Sequence, residues 1–404
     1  MTRDDARALD FTDPFAAWRD RFALPGDVVY LDGNSLGPLP RAVPARLADV
    51  AERQWGTRLI RSWNEGWIDA PQRLGARIAP LIGAVADAVI VGDTTSTHLF
   101  KAIVAALRHD PSRRTVVSEA GNFPTDLHVA EGAVACVPGA RLHVVERAAL
   151  ADALDDDTAL LLLTHVHYKT AERFDLAAWT ARAHAAGALI LWDFSHSVGA
   201  VALDVTAADV DLAVGCTYKY LNGGPGAPAF LYVAPRLQDA LANPVSGWMG
   251  HAEPFAFQDA YRPAAGMTRW LVGTPPILGM ASLDAALDLW AGVDMAALAA
   301  KSAALFAILA EAGADAGLAC VSPTDPERRG SHISFRHADA YALTQALIAR
   351  GVIGDFRDPD ILRLGLTPLY LSHEDVWRAG EQLREVVATG AWRDPAFAQR
   401  LAVT

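Results

Sequence analysis

One lysine of the sequence is well placed to act as a nucleophile. Lys219 lies between Tyr218 and Tyr220 in the segment GCTYKYLNGGPGAPAFLYV, where one short apolar run precedes it and another follows. Partial burial between such runs disfavours the charged form of a lysine and makes its amine available for covalent chemistry. The glycines that follow allow the backbone to approach a flat ligand closely. A lysine in a solvated loop is the alternative interpretation.

An aspartate earlier in the chain ends a predicted buried strand. In LILWDFSHSVGAV, four apolar residues are followed by Asp193, Ser195 and His196. Open α/β sheets bind ligands at the carboxyl ends of their strands, although an aspartate there also commonly caps a turn. A lysine and an aspartate so placed provide what pyridoxal 5′-phosphate (PLP) requires of a protein. These are an amine for a Schiff base and a carboxylate opposite the pyridine nitrogen.

A run of hydroxyl side chains provides a candidate phosphate site. The segment GDTTSTHLFKAIVAAL has Thr94, Thr95, Ser96 and Thr97 at the predicted start of a helix. The N-terminus of a helix offers free N–H groups and a favourable dipole to an anion. An ordinary helix cap needs only one of these hydroxyls, so the run indicates phosphate binding in addition to capping.

An alternating α/β fold must position these residues. Short apolar or β-branched runs alternate with helical patterns between about residues 85 and 235, as is typical of a mainly parallel sheet wrapped by helices. A helix is predicted at Leu176–Ala186, between two of these runs. The seven predicted strands are Ala88–Val91, Arg114–Ser118, Arg141–Val145, Ala159–Thr164, Ala188–Trp192, Leu212–Val214 and Ala229–Val233.

A second, smaller α+β domain is predicted after the sheet. Its predicted elements are an Ala-rich helix at Met295–Gly313, strands at His332–Arg336 and Ile361–Gly365, and a last helix from Glu374 to about Thr389. We predict an N-terminal segment (residues 1–45) that packs with the small domain, a large PLP-binding domain (residues 46–280) and the small domain itself (residues 281–404).

The composition argues against several classes of protein. Of the 404 residues, 52% are hydrophobic and 20% charged, and the formal net charge is −12, so a nonspecific attraction to nucleic acid or anionic lipid is not expected. The N-terminus carries charge where a signal peptide needs an apolar stretch. No apolar run approaches the roughly 18 residues of a membrane span. We therefore expect a cytoplasmic protein.

Neither cysteines nor histidines indicate a metal site. Cys136, Cys216 and Cys320 are too few and too scattered for a disulfide framework or a zinc site, and we expect buried free thiols. His165 and His167 have the spacing that places two side chains on one side of a strand, which could suggest a metal pair. No third ligand accompanies them, so no metal is predicted.

A set of ordered motifs resembles the kynureninase family. The motifs are YLDGNSLGPLP, RLIRSWNEGW, GDTTSTHLF, NFPTD, DFSHSVGA, CTYKYLNGGPG, GWMGH, TPPI and LRLGLTPLY, between about residues 28 and 373. The resemblance implies a fold type I PLP-dependent enzyme of the aspartate aminotransferase superfamily, working as a homodimer with each active site at the subunit interface. The implied activity is hydrolysis of L-kynurenine to anthranilate and L-alanine in tryptophan catabolism, with weaker use of 3-hydroxy-L-kynurenine.

The resemblance also implies roles for the residues beside the cofactor ring. Lys219 would bind PLP covalently, and Asp193 would pair with its pyridine nitrogen. Phe123 would stack on the ring, with Asp126 near the polar edge of that ring. The remaining cofactor-side positions of the family are matched by Thr164 and His196.

The phosphate group of the cofactor would be held from both subunits. Thr95, Ser96 and Tyr218 match the family positions that bind it within one chain. Trp248 in GWMGH and Thr274 in GTPPI match the positions that reach it from the partner subunit.

Three further positions would contact the substrate. Arg363 would clamp its α-carboxylate with a bidentate fork, Trp63 would form a wall for its aryl group, and Ser35 would lie near the same ring. A tryptophan wall fits unsubstituted kynurenine better than the 3-hydroxy form. Tyr218 is a candidate general acid for the β-carbon, with a pKa tuned toward the working pH. His98 stands where the family has asparagine, which affects the phosphate side of the site.

Three alternatives share parts of this pattern. A cysteine desulfurase or selenocysteine lyase needs a nucleophilic cysteine on a mobile loop, whereas Cys320 lies in an apolar run that predicts a strand and a buried thiol. Such enzymes also have histidine where this chain has Tyr218. An aminotransferase would share the lysine and the aspartate but not the LDGNSLG and RSWNEGW motifs. A PLP-dependent regulator or a catalytically silent scaffold is the third alternative.

Overall fold

The computed structural model describes residues 1–401. Its first elements are short, and a π-helical segment at Val50–Arg58 with a 3₁₀ segment at Leu59–Glu65 links α2 to α3. They are α1 (Arg3–Phe11), β1 (Val29–Tyr30), α2 (Val43–Asp49) and α3 (Ala70–Ile78).

A seven-stranded sheet forms the centre of the molecule. The strands are β2 (Val89–Gly92), β3 (Thr115–Glu119), β4 (Arg141–Val145), β5 (Thr158–Thr164), β6 (Leu189–Asp193), β7 (Leu212–Gly215) and β8 (Ala229–Val233). Their spatial order is β2-β8-β7-β6-β5-β3-β4, and only β8 runs antiparallel to its neighbours. All residues of β5, β7 and β8 are buried, because helices cover both faces of such a sheet. The predicted fold class is therefore confirmed, and each strand lies within one residue of its predicted bounds.

Three helices connect the strands near the site. They are α4 (Thr95–His109), α5 (Pro124–Ala135) and α6 (Leu176–Ala185). Helices α4 and α5 begin shortly after the ends of β2 and β3, so that their N-termini lie near the carboxyl edge of the sheet. Thr94 caps α4 by accepting a hydrogen bond from the N–H of Thr97, and Asp175 caps α6 in the same way.

A smaller four-stranded sheet packs with the last helices. These elements are α7 (Ile277–Leu287), α8 (Met295–Asp315), β9 (Ala319–Cys320), β10 (His332–Arg336), α9 (Ala340–Ile348), β11 (Val352–Ile353), β12 (Asp355–Arg357), β13 (Ile361–Gly365) and α10 (His373–Thr389). The antiparallel order is β12-β13-β10-β9. Gly313 lets α8 approach the sheet, because a Cβ there would lie 2.1 Å from the ring of Phe335.

The N-terminal residues contact this smaller sheet and its helices. Helix α1 packs on α10, and β1 pairs in parallel with β11. Asp13 forms a buried ion pair with Lys301 of α8 at 2.6 Å. The division of the chain at residues 45 and 280 stays a prediction.

Two sequence-based expectations are wrong. Only Cys216 is buried, whereas Cys136 at the end of α5 and Cys320 in β9 are exposed. The two-residue edge strand β9 covers the Cys320 side chain only in part. Helix α8 is long and apolar enough by length and composition to cross a membrane, although the sequence was expected to contain no such stretch. It packs against α10 and β10 and carries the ion-paired Lys301, as the core helix of a globular domain does.

Candidate active site

Lys219 and His196 form the centre of the candidate site. His196 follows β6 and Lys219 follows β7, and because these neighbouring strands are parallel their carboxyl ends meet. The Lys219 Nζ lies 3.0 Å from His196 Nε2, and Lys219 is buried. Burial and the neighbouring Lys219 hold the pKa of His196 well below its usual range, so its ring is neutral and accepts from the amine. Its other ring nitrogen is buried without a partner.

Two carboxyl groups lie together beside the lysine. Asp193 ends β6 and accepts a hydrogen bond from the backbone N–H of Ser195 at 2.7 Å. Burial, followed by the charge of Asp193, raises the pKa of Asp126 well above its usual range. Burial also raises the pKa of Asp193, but less, because the hydrogen bond from Ser195 and the charge of Lys219 favour its ionised form. A proton shared by the two carboxyl groups therefore lies on Asp126. Thr164 at the end of β5 donates to Asp126 at 3.1 Å and so positions it.

An aromatic ring lies above this group. Phe123 immediately precedes α5, and its ring centroid is 5.8 Å from Lys219 Nζ. The Phe123 ring makes an edge-to-face contact with the ring of Tyr168, and the two ring centroids are 5.3 Å apart. About 37% of Phe123 is exposed, which leaves surface for a flat ligand to stack on.

The start of α4 offers free backbone N–H groups beside hydroxyl side chains. Thr95 and Ser96 occupy its first turn, where backbone N–H groups have no partner within the helix. His98 does not add to these groups, because its Nε2 is 2.7 Å from the carbonyl oxygen of Gly92 and its ring is buried.

The GNSLG loop contacts the lysine loop directly. The N–H of Gly37 donates to the carbonyl oxygen of Tyr218 at 2.8 Å. A Cβ on Gly37 would lie 2.2 Å from the carbonyl oxygen of Lys219, so only glycine fits there. Two motifs far apart in the chain therefore meet at one place.

A cluster of charged groups lies on the smaller sheet beside this loop. We call Ser35, Asp355, Arg357 and Arg363 the arginine cluster. Arg363 Nε donates to Asp355 Oδ1 at 2.8 Å, and Arg363 Nη2 donates to Ser35 Oγ at 2.8 Å. Burial would raise the pKa of Asp355, but Arg363 and Arg357 hold it at about 2.

The sequence did not point to Asp355, Arg357 or Tyr168. One signal was available: Asp355 and Arg357 are two residues apart, and in a strand this spacing places both side chains on one face. Tyr168 carried no signal, since it acts through its carbonyl oxygen and its contact with Phe123.

Three further sequence-predicted residues contact other aromatic side chains or are exposed. Trp63 contacts Trp67, with ring centroids 5.6 Å apart, and Trp248 contacts Phe255 at 5.8 Å. Thr274 is exposed. Their roles toward the cofactor and the substrate stay predictions.

The two histidines whose spacing could suggest a metal pair make other contacts. His165 Nδ1 is 2.9 Å from Ser197 Oγ, and His167 Nε2 is 2.9 Å from the carbonyl oxygen of Gly121. Burial lowers the pKa of His165 to about 3 and that of His167 to about 4. Within residues 1–401, neither belongs to a group with metal-ligand geometry.

The residues present fit PLP. A buried amine faces an exposed aromatic ring, a carboxylate lies beside the amine, and a helix N-terminus with hydroxyl side chains is available for a phosphate. The unpartnered ring nitrogen of His196 is a further polar group without a protein partner at this place. Fold and site together define a PLP-dependent enzyme of fold type I.

Comparison with known proteins agrees on the fold. An apo cysteine desulfurase from Thermococcus onnurineus NA1 superposes with a TM-score of 0.78 at 17% identity, covering 93% of this chain and 98% of that one. The Escherichia coli cysteine desulfurase CsdA superposes with a TM-score of 0.77 at 21% identity, covering 93% and 98%.

Sequence comparison identifies the family. The chain is 51% identical to a kynureninase from Burkholderia mallei (strain SAVP1) and 49% identical to one from Pseudomonas fluorescens, in each case over the full length of both chains. The family model described as "Kynureninase C-terminal domain" matches residues 298–383. The chain belongs to the kynureninase family.

Proposed function

We propose that the chain hydrolyses L-kynurenine to anthranilate and L-alanine in tryptophan catabolism, and 3-hydroxy-L-kynurenine more weakly. The observation that carries this proposal is the buried Lys219 amine, 3.0 Å from His196, in a chain that matches kynureninases over its full length. A desulfurase is disfavoured, because the exposed Cys320 lies on an edge strand and partial burial of its thiol raises its pKa. A cytoplasmic location and the lack of nucleic-acid and membrane partners remain predictions from the sequence.

The residues of the site divide the chemistry among them. PLP, when bound, supplies an electron sink for bonds to the substrate α-carbon. Lys219 binds the cofactor and then carries the proton of the α-carbon, with the neutral His196 ring accepting a hydrogen bond from its amine. Asp193 would supply a negative charge to the cofactor, and Phe123, whose ring centroid is 5.8 Å from Lys219 Nζ, would offer it a stacking surface. One water is added across the bond between the β- and γ-carbons, which releases the aromatic acid and alanine.

Three expected contacts complete the proposal for the cofactor and substrate. Thr95 and Ser96 bind the phosphate at the start of α4. Arg363 binds the α-carboxylate, and its guanidinium donates to Ser35 Oγ at 2.8 Å. Ser35 is expected near the aryl ring of the substrate. Trp63 lines the aryl pocket in this proposal.

The proposed activity is tested by a direct assay of the purified protein with PLP. Anthranilate is followed by its fluorescence after addition of L-kynurenine, and alanine is quantified in the same sample. Equal amounts of both products are expected. If neither forms while the visible absorption of bound PLP is present, the substrate assignment is wrong, and sulfide release from L-cysteine and amino-group transfer are measured next.

Tyr218 is proposed as the acid that protonates the β-carbon. The sequence argument expected a pKa tuned toward the working pH, whereas burial, with smaller contributions from Cys216 and Asp193, raises the pKa of Tyr218 above its usual value. The phenol therefore keeps its proton at neutral pH and is available as a donor.

Tyr218→Phe is expected to lower kcat by about 10²-fold at saturating PLP, because general acid catalysis contributes on that order. Steady-state kinetics with L-kynurenine measure the effect. Tyr220→Phe is the matched control, since the Tyr220 hydroxyl donates to the carbonyl oxygen of Ser331 at 2.9 Å and takes no part in the chemistry. Full turnover by Tyr218→Phe would remove this role.

We further propose that the enzyme is a homodimer in which Trp248 and Thr274 reach the phosphate of the partner subunit. An exposed aromatic patch supports this: Trp248 is 38% exposed, Phe255 61% and Phe257 82%. Large exposed apolar patches mark interaction surfaces, and a symmetric dimer covers the same patch on both chains.

Mixing two inactive variants tests the shared site. Lys219→Ala lacks the amine and Trp248→Ala lacks the contact from the partner, so a hybrid dimer regains one complete site. Random exchange of subunits is expected to restore roughly a quarter of the wild-type activity. Analytical ultracentrifugation checks that hybrids form. Dimers that exchange subunits without any recovery of activity would show that each chain builds its site alone.

A further inference from the structure

The guanidinium of Arg363 is already held by the protein. Its Nε and Nη2 atoms make a bidentate contact with Asp355, and its Nη1 donates to the carbonyl oxygen of Tyr168 at 2.6 Å. The side chain is only 1% exposed. Arg363 is thus rigidly oriented, but most of its donors are engaged before any substrate arrives.

Arg357 lies in the same cluster with donors to spare. Its Nη2 donates to Ser35 Oγ at 2.9 Å and to Asp355 Oδ2 at 2.5 Å. One third of its side chain is exposed, and its Nε is buried without a partner. A ligand can therefore reach the exposed part of this side chain, whereas the buried Nε shows that the cluster does not use all five donors of the guanidinium.

Strand pairing explains why both arginines face the same carboxylate. Asp355 of β12 lies directly opposite Arg363 of β13 in the antiparallel ladder. Arg357 is two residues beyond Asp355, so its side chain projects from the same face of the sheet. Ser35 reaches this face from the GNSLG loop and donates to Asp355 Oδ2 at 2.5 Å.

The charges of the cluster do not balance without a ligand. Arg357 and Arg363 contribute two positive charges, and the ionised Asp355 contributes one negative charge. Burial, with the charge of Asp355, raises the pKa of the neighbouring Asp32 to about 8, so Asp32 is mostly neutral at pH 7. One positive charge remains, and a single carboxylate neutralises it.

We propose that Arg357 is a second carboxylate-binding residue, which together with Arg363 receives the α-carboxylate of the amino-acid substrate while Asp355 holds both guanidinium groups in place. This inference rests on the proposed function in that the substrate is an α-amino acid. It assigns to Arg357 a contact with substrate, and to Asp355 a positioning role.

The test compares two amines that differ only by a carboxylate. L-Alanine and ethylamine are titrated into the PLP-loaded protein, and binding is followed by the change in visible absorption of the cofactor. Arg357→Gln is expected to weaken the binding of L-alanine by about 10- to 100-fold, because a charge-assisted hydrogen bond is lost. The same variant is expected to change the affinity for ethylamine by less than about twofold. Arg336→Gln is the matched control, because Arg336 lies on the same sheet and pairs at its surface with Asp360 at 3.0 Å.

The outcomes separate a binding role from a structural one. Equal weakening of both amines, or no weakening of L-alanine, would overturn the proposal. Arg357→Lys keeps the charge without the planar fork, and it is expected to weaken L-alanine less than Arg357→Gln does. If Arg357→Gln does not fold, the same two amines are compared on Arg357→Lys. Weaker binding of L-alanine alone is expected, and unchanged binding of L-alanine would overturn the proposal.

Kinetics with L-kynurenine separate this inference from the proposed function. For an active wild type, Arg357→Gln is expected to raise KM with little change in kcat, because the contact is made before the chemical step. A wild type that binds L-alanine but does not cleave L-kynurenine would overturn the proposed function alone. Active enzyme with an Arg357→Gln variant of normal KM and normal L-alanine affinity would overturn this inference alone.

Discussion

Lys219→Ala is expected to abolish anthranilate formation, with a fall in turnover of at least about 10³-fold, since no other described amine lies within reach of His196 in residues 1–401. The variant is also expected to lose the visible absorption of covalently bound PLP. Lys169→Ala is the matched control, because Lys169 is only partly buried and pairs with the ring of Tyr168 at 5.7 Å.

A chemical readout makes this prediction independent of activity. Reduction of the loaded protein with borohydride fixes the bond between cofactor and lysine, and mass spectrometry then locates the modified peptide. Modification of the peptide that contains Lys219 is expected in the wild type and in Lys169→Ala. Modification of another lysine in the wild type would contradict the assignment.

Asp193→Asn is expected to lower kcat/KM by about 10²- to 10³-fold, because it removes a fixed charge that the buried site provides for the cofactor ring. Asp126→Asn is expected to cost less than about tenfold, since Asp126 already carries a proton and an amide keeps a donor and an acceptor at the same place. Steady-state kinetics on both variants at saturating PLP measure the difference.

The comparison of these two variants tests which carboxyl group holds the charge. Asp193 accepts from the N–H of Ser195 at 2.7 Å, a contact that favours its ionised form. A larger loss in Asp126→Asn than in Asp193→Asn would show that the proton lies on the other partner. Binding of PLP, followed by absorbance, distinguishes a loss of affinity from a loss of chemistry.

The large sheet could be predicted from the sequence because its signal is local. Runs such as residues 189–192 (LILW) are apolar over their whole length, as is typical of a strand covered on both faces. The neighbours Asp193 and Lys219 were also predictable, since both follow parallel strands and such strands end at one edge. The start of α4 carried its own signal in the run of hydroxyl residues.

Exposure at the edges of the molecule could not be predicted in the same way. Cys320 lies in an apolar run, yet its two-residue strand is at the rim of the small sheet and leaves it exposed. By length and composition alone, helix α8 is apolar enough to cross a membrane. Its partners α10 and β10 come from later in the chain, and they pack against it in a globular domain.

The sequence alone indicated the fold class and the cofactor, and it predicted the residues that would react with the cofactor, because each depends on a short motif at the end of one element. The arginine cluster and the charge on the aspartate pair depended on the folded structure. Ser35 and Asp355 are 320 residues apart and meet only when the N-terminal loop lies on the smaller sheet. The proton on Asp126 likewise follows from burial beside Asp193, and burial is a property of the packed chain.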